Sequence, residues 1–328
     1  LGIGLLILIG VILTAGKSLY KTVERFSILL ISISVPLIFI LALYLSSRSD
    51  LLDLFNGIIN VGNIPEGLPF ASFLAAFAFA GAGGNLNLAQ SFYVKEKEYG
   101  MGKYGGKITS ILTGSVKDLK LTGSKFKITN ESLINFKSWW KVTNLEHFFV
   151  FWVGGIISIC MLSLLAYATV FGKAGLPQGV EFIIFESGVI ASIMGTFIGT
   201  LFLIIGGIML FNTQLTVLDA MSRIMAENFL IIKRTGNLPK IYYSFLWVQI
   251  IFGIVIFMFN YGQPLLLLTI SAVLNAITMF VHIGLTLSLN IKELEKEIRP
   301  NLFRIVMIII AFLFFGYFSF KTIAGIFY

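Results

Sequence analysis

The chain has 328 residues, of which 57% are hydrophobic and 12% charged, with 24 Lys and Arg against 16 Asp and Glu. Soluble domains are nearer half apolar and a quarter charged, so this composition, with a mean hydropathy of +0.92, excludes a soluble globular class and predicts an all-α integral membrane protein. A single cysteine, Cys160, excludes an internal disulfide, and two histidines, His147 and His282, exclude a multi-histidine metal centre.

Eight spans are predicted, at about 1–16, 26–47, 67–93, 148–171, 195–221, 241–260, 264–290 and 303–320. The first, "LGIGLLILIGVIL", has neither an initiating Met nor a charged leader. The chain therefore reads as a fragment with an odd number of spans expected before Leu1. Cys160 reads as a packing residue within the fourth span. The stretch 181–195 is predicted to be an interfacial helix.

The third span is the least regular. Pro65 and Pro69 precede it in "NVGNIPEGLPFASF", as a re-entrant or extracellular lead-in. "AFAGAGGNLNLAQSFYVKEKEYGMG" (78–102) then places Gly81, Gly83 and Gly84 at membrane depth, followed by Asn85, Asn87 and Gln90. Unpaired backbone in hydrocarbon costs several kcal/mol, so a break at 81–87 needs a solute or water to satisfy it. Oxygen ligands of this kind suit hard cations or polar solutes. The competing reading is a small-residue packing face.

Residues 94–147 form the longest polar segment, with ten lysines against five acids. Two "LTGS" units with alternating β-branched residues predict a small hairpin within a solvated basic loop. "SWW" at 138–140 is placed at the headgroup level. A regulatory or lipid-binding role for this loop is the second reading.

In "MLFNTQLTVLDAMSRIMAENF" (209–229), Asp219 and Arg223 are four apart, one helical turn. They form either a structural ion pair or part of a proton path. On the seventh span, Asn275, Thr278 and His282 share one helix face. His282 is either a titrating group or an interhelical hydrogen-bond partner. Gln249 and Asn260 read as interhelical partners.

Sorted by side, 21 of the 24 basic residues fall on one face of these spans; only Arg48, Lys173 and Lys321 fall on the other. By the positive-inside rule the 94–147 segment is cytoplasmic in a multi-pass plasma-membrane protein. The basic surplus faces the cytoplasm and anionic lipid of the bilayer; no nucleic-acid partner is needed to explain it. No phosphate-binding loop, HExxH motif or paired catalytic carboxylates are present, so no enzyme is predicted and no cofactor is implied.

Four stretches carry a resemblance: "GKSLYKTVERFSILLI", "GNLNLAQSFYVKEKEYGMG", "FNTQLTVLDAMSRI" and "LNIKELEKEIRPN". In order and hydropathy the chain resembles the C-terminal two-thirds of the natural resistance-associated macrophage protein (Nramp) family of divalent metal transporters, in a divergent, prokaryotic-looking branch. The resemblance implies a LeuT-like fold of inverted five-helix repeats, with a broken helix at the site. It implies secondary active, proton-linked transport of a divalent metal ion by alternating access. Aligned on Asn85-Leu86, the family's Met-Pro-His falls on Ala82, Gly83 and Gly84. The implied metal contacts are then Ala82 and Asn85, and the substrate-site residues Ala82, Gly83, Gly84, Asn85, Asn87, Gln90 and Asn275. Without the thioether, oxygen donors suit Mg²⁺ as well as Mn²⁺ or Fe²⁺. An amino-acid or other organic-solute permease of the same fold is the alternative, and a non-transporting scaffold or sensor the second. The oligomeric state is not predicted.

Overall fold

In the computed structural model, residues 1–15, 19–60, 62, 73, 76, 84–105, 108, 123–177, 179–259 and 264–327 are described. Among them there is no strand. Eleven α-helices follow in order: α1 (Gly2–Ala15), α2 (Leu19–Leu45), α3 (Arg48–Ile59), α4 (Asn85–Glu96), α5 (Asn130–Glu146), α6 (Gly154–Val170), α7 (Val180–Met194), α8 (Thr196–Lys233), α9 (Leu238–Met258), α10 (Pro264–Glu293) and α11 (Leu302–Phe327).

Among the described residues, six helical stretches are long and apolar enough to cross a membrane: Leu19–Leu45, Asn130–Val170, Thr196–Lys233, Leu238–Met258, Leu267–Glu293 and Leu302–Ala324. Large apolar side chains such as Ile251, Phe252 and Phe257 are exposed along them, which in water would be an aggregating surface and in lipid is the expected one. The chain is thus an all-α, multi-pass membrane protein. The eight predicted spans map onto these six, onto the shorter apolar helix α1, and onto residues 67–93, most of which lie outside the described residues.

Local chemistry sets the helix ends. Ser47 and Asp50 form a reciprocal capping box that starts α3. The Thr129 hydroxyl accepts from the Ser132 N–H at 3.1 Å and starts α5. Asn237 caps α9, with Pro239 in the first turn. Arg234 stops α8 in the left-handed region, its N–H donating to Leu230 O at 2.7 Å.

The 94–147 segment differs from the predicted loop. Helix α4 runs to Glu96, a 3₁₀ turn follows at Gly100–Tyr104, and α5 passes through a π-helical stretch, His147–Val153, into α6. Apolar residues Leu133, Phe136 and Trp140 recur at helical spacing in α5, and the Phe136 and Trp140 rings stack at 6.1 Å. This periodicity sits beneath a charged composition, which is why the segment reads as a loop. The predicted hairpin falls largely on 109–122, outside the described residues. Helix α3 also lies where no helix was predicted.

The chain divides into two compact units. The first comprises 1–63, 92–125 and 143–264. Its main core gathers Ile9 and Leu13 of α1, Leu19 of α2, Leu215 of α8, and Leu246 and Ile250 of α9. A second cluster joins Leu41, Leu165, Ile190 and Phe202 of α2, α6, α7 and α8, so α7, read from sequence as interfacial, contributes a fully buried side chain. Helices α7 and α8 meet at Gly195 (φ +92°), and the Ser187 hydroxyl donates to Gly199 O at 2.9 Å. The second unit comprises 64–91, 126–142 and 265–328. In it α10 and α11 pack through small residues: Gly284 faces Phe312, Gly316 faces Phe280, and the two rings stack at 4.5 Å. Between apolar helices in lipid, close approach of this kind supplies the packing energy.

A Cβ at Gly199 would lie 2.7 Å from both Ala191 Cβ and the Ser187 carbonyl oxygen, whereas one at Gly207 meets nothing within 4 Å. Gly199→Leu is expected to destabilise the α7–α8 pair by about 1–3 kcal/mol and lower the thermal midpoint in detergent; Gly207→Ala is expected to leave that midpoint unchanged or raise it.

Candidate functional site

Two groups of polar residues stand out, one in each unit. The second unit holds the first. Gly84 is buried with φ +51°, in the left-handed region where only glycine is unstrained. Gly84 is a turn residue, and Asn85 opens α4 immediately after it. The Gly84 carbonyl accepts from the Asn87 N–H at 3.3 Å. Above Gly84 sits Asn275 of α10. A Cβ on Gly84 would collide with the Asn275 carboxamide oxygen and lie 2.9 Å from its Cγ and 3.0 Å from its Cα. The glycine is required twice, by its own backbone angle and by this neighbour.

The remaining predicted site residues divide as follows. Ala82 and Gly83 lie outside the described residues, as does Asn260. Asn87 and Gln90 are exposed on α4. His282 is half-buried on α10, seven residues or about 10 Å along the helix from Asn275. The Thr278 hydroxyl returns to its own helix, donating to Leu274 O at 2.8 Å. Among the described residues, no three His, Cys, Asp or Glu side chains converge on a common point. A cation at Gly84 would be met by amide and carbonyl oxygens, the donor set of hard ions.

The first unit holds the second group, centred on Arg223. This side chain is 1% exposed, with Asp219 fully buried beside it and Glu96 also buried. Arg223 Nε donates to Asp219 Oδ1 at 2.9 Å, the one-turn pairing predicted from the sequence. Its Nη1 donates to Glu96 Oε1, at the end of α4. Two tyrosines complete the cluster: Tyr242 Oη donates to Asp219 Oδ1 at 2.8 Å, and Tyr93 Oη donates to Asp219 Oδ2 at 3.0 Å. The guanidinium lies 5.5 Å from the Tyr93 ring centre and 6.0 Å from that of Tyr242, within cation–π range. Tyr20 of α2 closes the aromatic wall, 5.9 Å from Tyr93.

This cluster sits within a wider polar seam along α8. Ser27 donates to Asn212 at 2.8 Å, Gln249 to Ser222 at 3.0 Å and Lys95 to Glu227 at 3.1 Å. Beyond α4, Lys97 and Tyr99 both donate to Glu146. Burial disfavours the Lys97 ammonium, but the bond to Glu146 outweighs it and holds this amine above its ordinary range. Burial and the same carboxylate also push the Tyr99 phenol up.

Sequence reading found the Asp219–Arg223 pair and missed Glu96, Tyr93 and Tyr242. Glu96 looks like one of several alternating loop charges in "KEKE". Its only distinguishing signal is position: it lies three residues after Tyr93, on the same helix face. Also missed was a cavity of about 360 Å³ between α3 and α6, lined by Asp50, Asp53, Cys160, Ser163 and Tyr167. Tyr167 Oη donates to Asp53 Oδ2 there at 3.1 Å. Compared with known protein families, characterised proteins and solved structures, the chain matches none.

Removing one member of a buried charge cluster strands the others. Arg223→Ala is expected to cost about 3–5 kcal/mol and to abolish a cooperative thermal transition or lower it sharply. Tyr242→Phe removes one donor to Asp219 and is expected to cost about 1–3 kcal/mol, read as a smaller shift of the same transition.

Proposed function

We propose that this membrane protein is a secondary active transporter that moves divalent metal cations by alternating access, linked to protons, on a LeuT-like fold resembling that of the Nramp family. The observation that carries this reading is the left-handed turn at Gly84 beneath Asn275. Gly84 takes a left-handed turn directly before α4, and the Asn275 amide is packed against that turn. Broken helices at membrane depth persist where the freed backbone faces protein, water or a bound solute. In this reading, the carbonyls around Ala82 and Gly83, with Asn85, contact the ion from one side, and Asn275 approaches from α10. Asn87 and Gln90 lie along the aqueous approach to it. His282 and the Asp219–Arg223 pair belong to the proton-linked part of the cycle. The basic 94–147 segment faces the cytoplasm.

The test is uptake by the purified protein in proteoliposomes, with Mn²⁺, Mg²⁺ and a mixture of amino acids offered in competition. Saturable Mn²⁺ or Mg²⁺ uptake, insensitive to amino acids, is the expected result. Asn275→Ala and Asn85→Ala are each expected to lower it about tenfold, equivalent to ~1.4 kcal/mol of lost binding, without lowering the amount of folded protein. Uptake of amino acids in place of metal would identify an organic-solute permease. No uptake of any of these would favour the scaffold or sensor reading.

A further inference from the structure

The three buried charges around Arg223 do not balance: one guanidinium faces two carboxylates. Their hydrogen bonding is unequal too. Asp219 accepts from three donors, Arg223 Nε, Tyr242 Oη and Tyr93 Oη, across both of its oxygens. Glu96 receives the Arg223 Nη1 donor and the Ile108 N–H at 3.4 Å, both on Oε1. Its Oε2 is buried with no partner among the described residues, and so is Arg223 Nη2. An ionised carboxylate oxygen with no donor is among the most costly groups to bury. Three donors hold Asp219 as a carboxylate, whereas Glu96 Oε2 has none, so a proton is taken up with the smaller loss on Glu96.

We propose that Glu96 is a proton-binding site whose occupancy weakens the tie between the end of α4 and α8. One proton from water adds to Oε2, and the cluster passes from a formal charge of −1 to zero. The salt bridge from Arg223 to Glu96 becomes a hydrogen bond between a cation and a neutral acid, while the Arg223–Asp219 bond is kept. Every titratable neighbour is consistent with this assignment. From α8, Asp219 adds negative charge and Arg223 positive, and Glu227 is occupied by Lys95. From α9 and α4, Tyr242 and Tyr93 donate to Asp219 rather than to Glu96. On α2, Tyr20 donates to Glu24 at 2.8 Å, and beyond α4, Lys97 and Tyr99 are engaged by Glu146. Burial raises the Glu96 carboxyl, which lies past the predicted end of the third span, above the ordinary range against the opposing pull of Arg223.

The binding of this proton stands on the cluster alone; its role as the coupling proton rests on the carrier reading above. The two are separated by measuring the proton directly. Infrared difference spectra of the lipid-reconstituted protein, taken between mildly acidic and mildly alkaline pH with no solute present, are expected to contain a protonated-carboxyl band. Glu96→Gln is expected to abolish it. Glu96→Asp is expected to shift its frequency and midpoint, which keeps the assignment testable if the glutamine variant fails to fold. In the transport assay, wild-type Mn²⁺ uptake is expected to change about tenfold per pH unit beyond the midpoint, and Glu96→Gln to flatten that dependence. Absence of the band in wild-type protein, or a band unchanged in both variants, would overturn the proposal while leaving the carrier reading intact. A band that behaves as expected in a protein that moves no metal would refute only the carrier reading.

Discussion

A guanidinium sealed from water is the constraint around which the first unit is organised. Arg223 stays charged at any physiological pH, and moving it out of water is expensive unless neighbouring charge and hydrogen bonds replace its hydration. One turn back, Asp219 supplies one counter-charge, but a single carboxylate does not use all five donors. Glu96 therefore has to come in from α4, and Tyr93 and Tyr242 have to orient their hydroxyls toward Asp219. Four positions on three helices are fixed by the needs of one side chain. Hydrophobic packing alone would not fix them, because Leu and Ile neighbours along α8 and α9 tolerate small slides that a bonded guanidinium does not.

The turn at Gly84 obeys a different rule. A residue in the left-handed region does not make the repeating i to i−4 bonds of a helix. The Gly84 carbonyl instead accepts from the Asn87 N–H, three residues on. The Asn275 carboxamide brings polar atoms to the same place, with a close approach that a side chain on residue 84 would forbid. Within the second unit, α10 and α11 hold each other by reciprocal glycine–phenylalanine contacts.

Membrane class, helical content, most span positions and the Asp219–Arg223 pairing were all legible in the residues. Composition and run length report on solvent, and a spacing of four reports on a single helical turn; both are local properties. The helical start at Asn130 was obscured because charge and lysine density masked its apolar periodicity. α3 was overlooked because twelve residues with a modest apolar face resemble a loop beside true spans.

What the linear chain could not specify was which distant groups meet. Glu96 and Arg223 are 127 positions apart, and no periodicity links a charge in "KEKE" to one in "DAMSR". Asn275 was singled out as one polar residue on an apolar face, but its seat over Gly84 follows from how α10 packs within its unit. Local spacing determined that an acid and an arginine would pair inside this protein. Only tertiary packing decided that a second acid would join them with one oxygen left over, because burial, not sequence distance, sets which charges must share a partner.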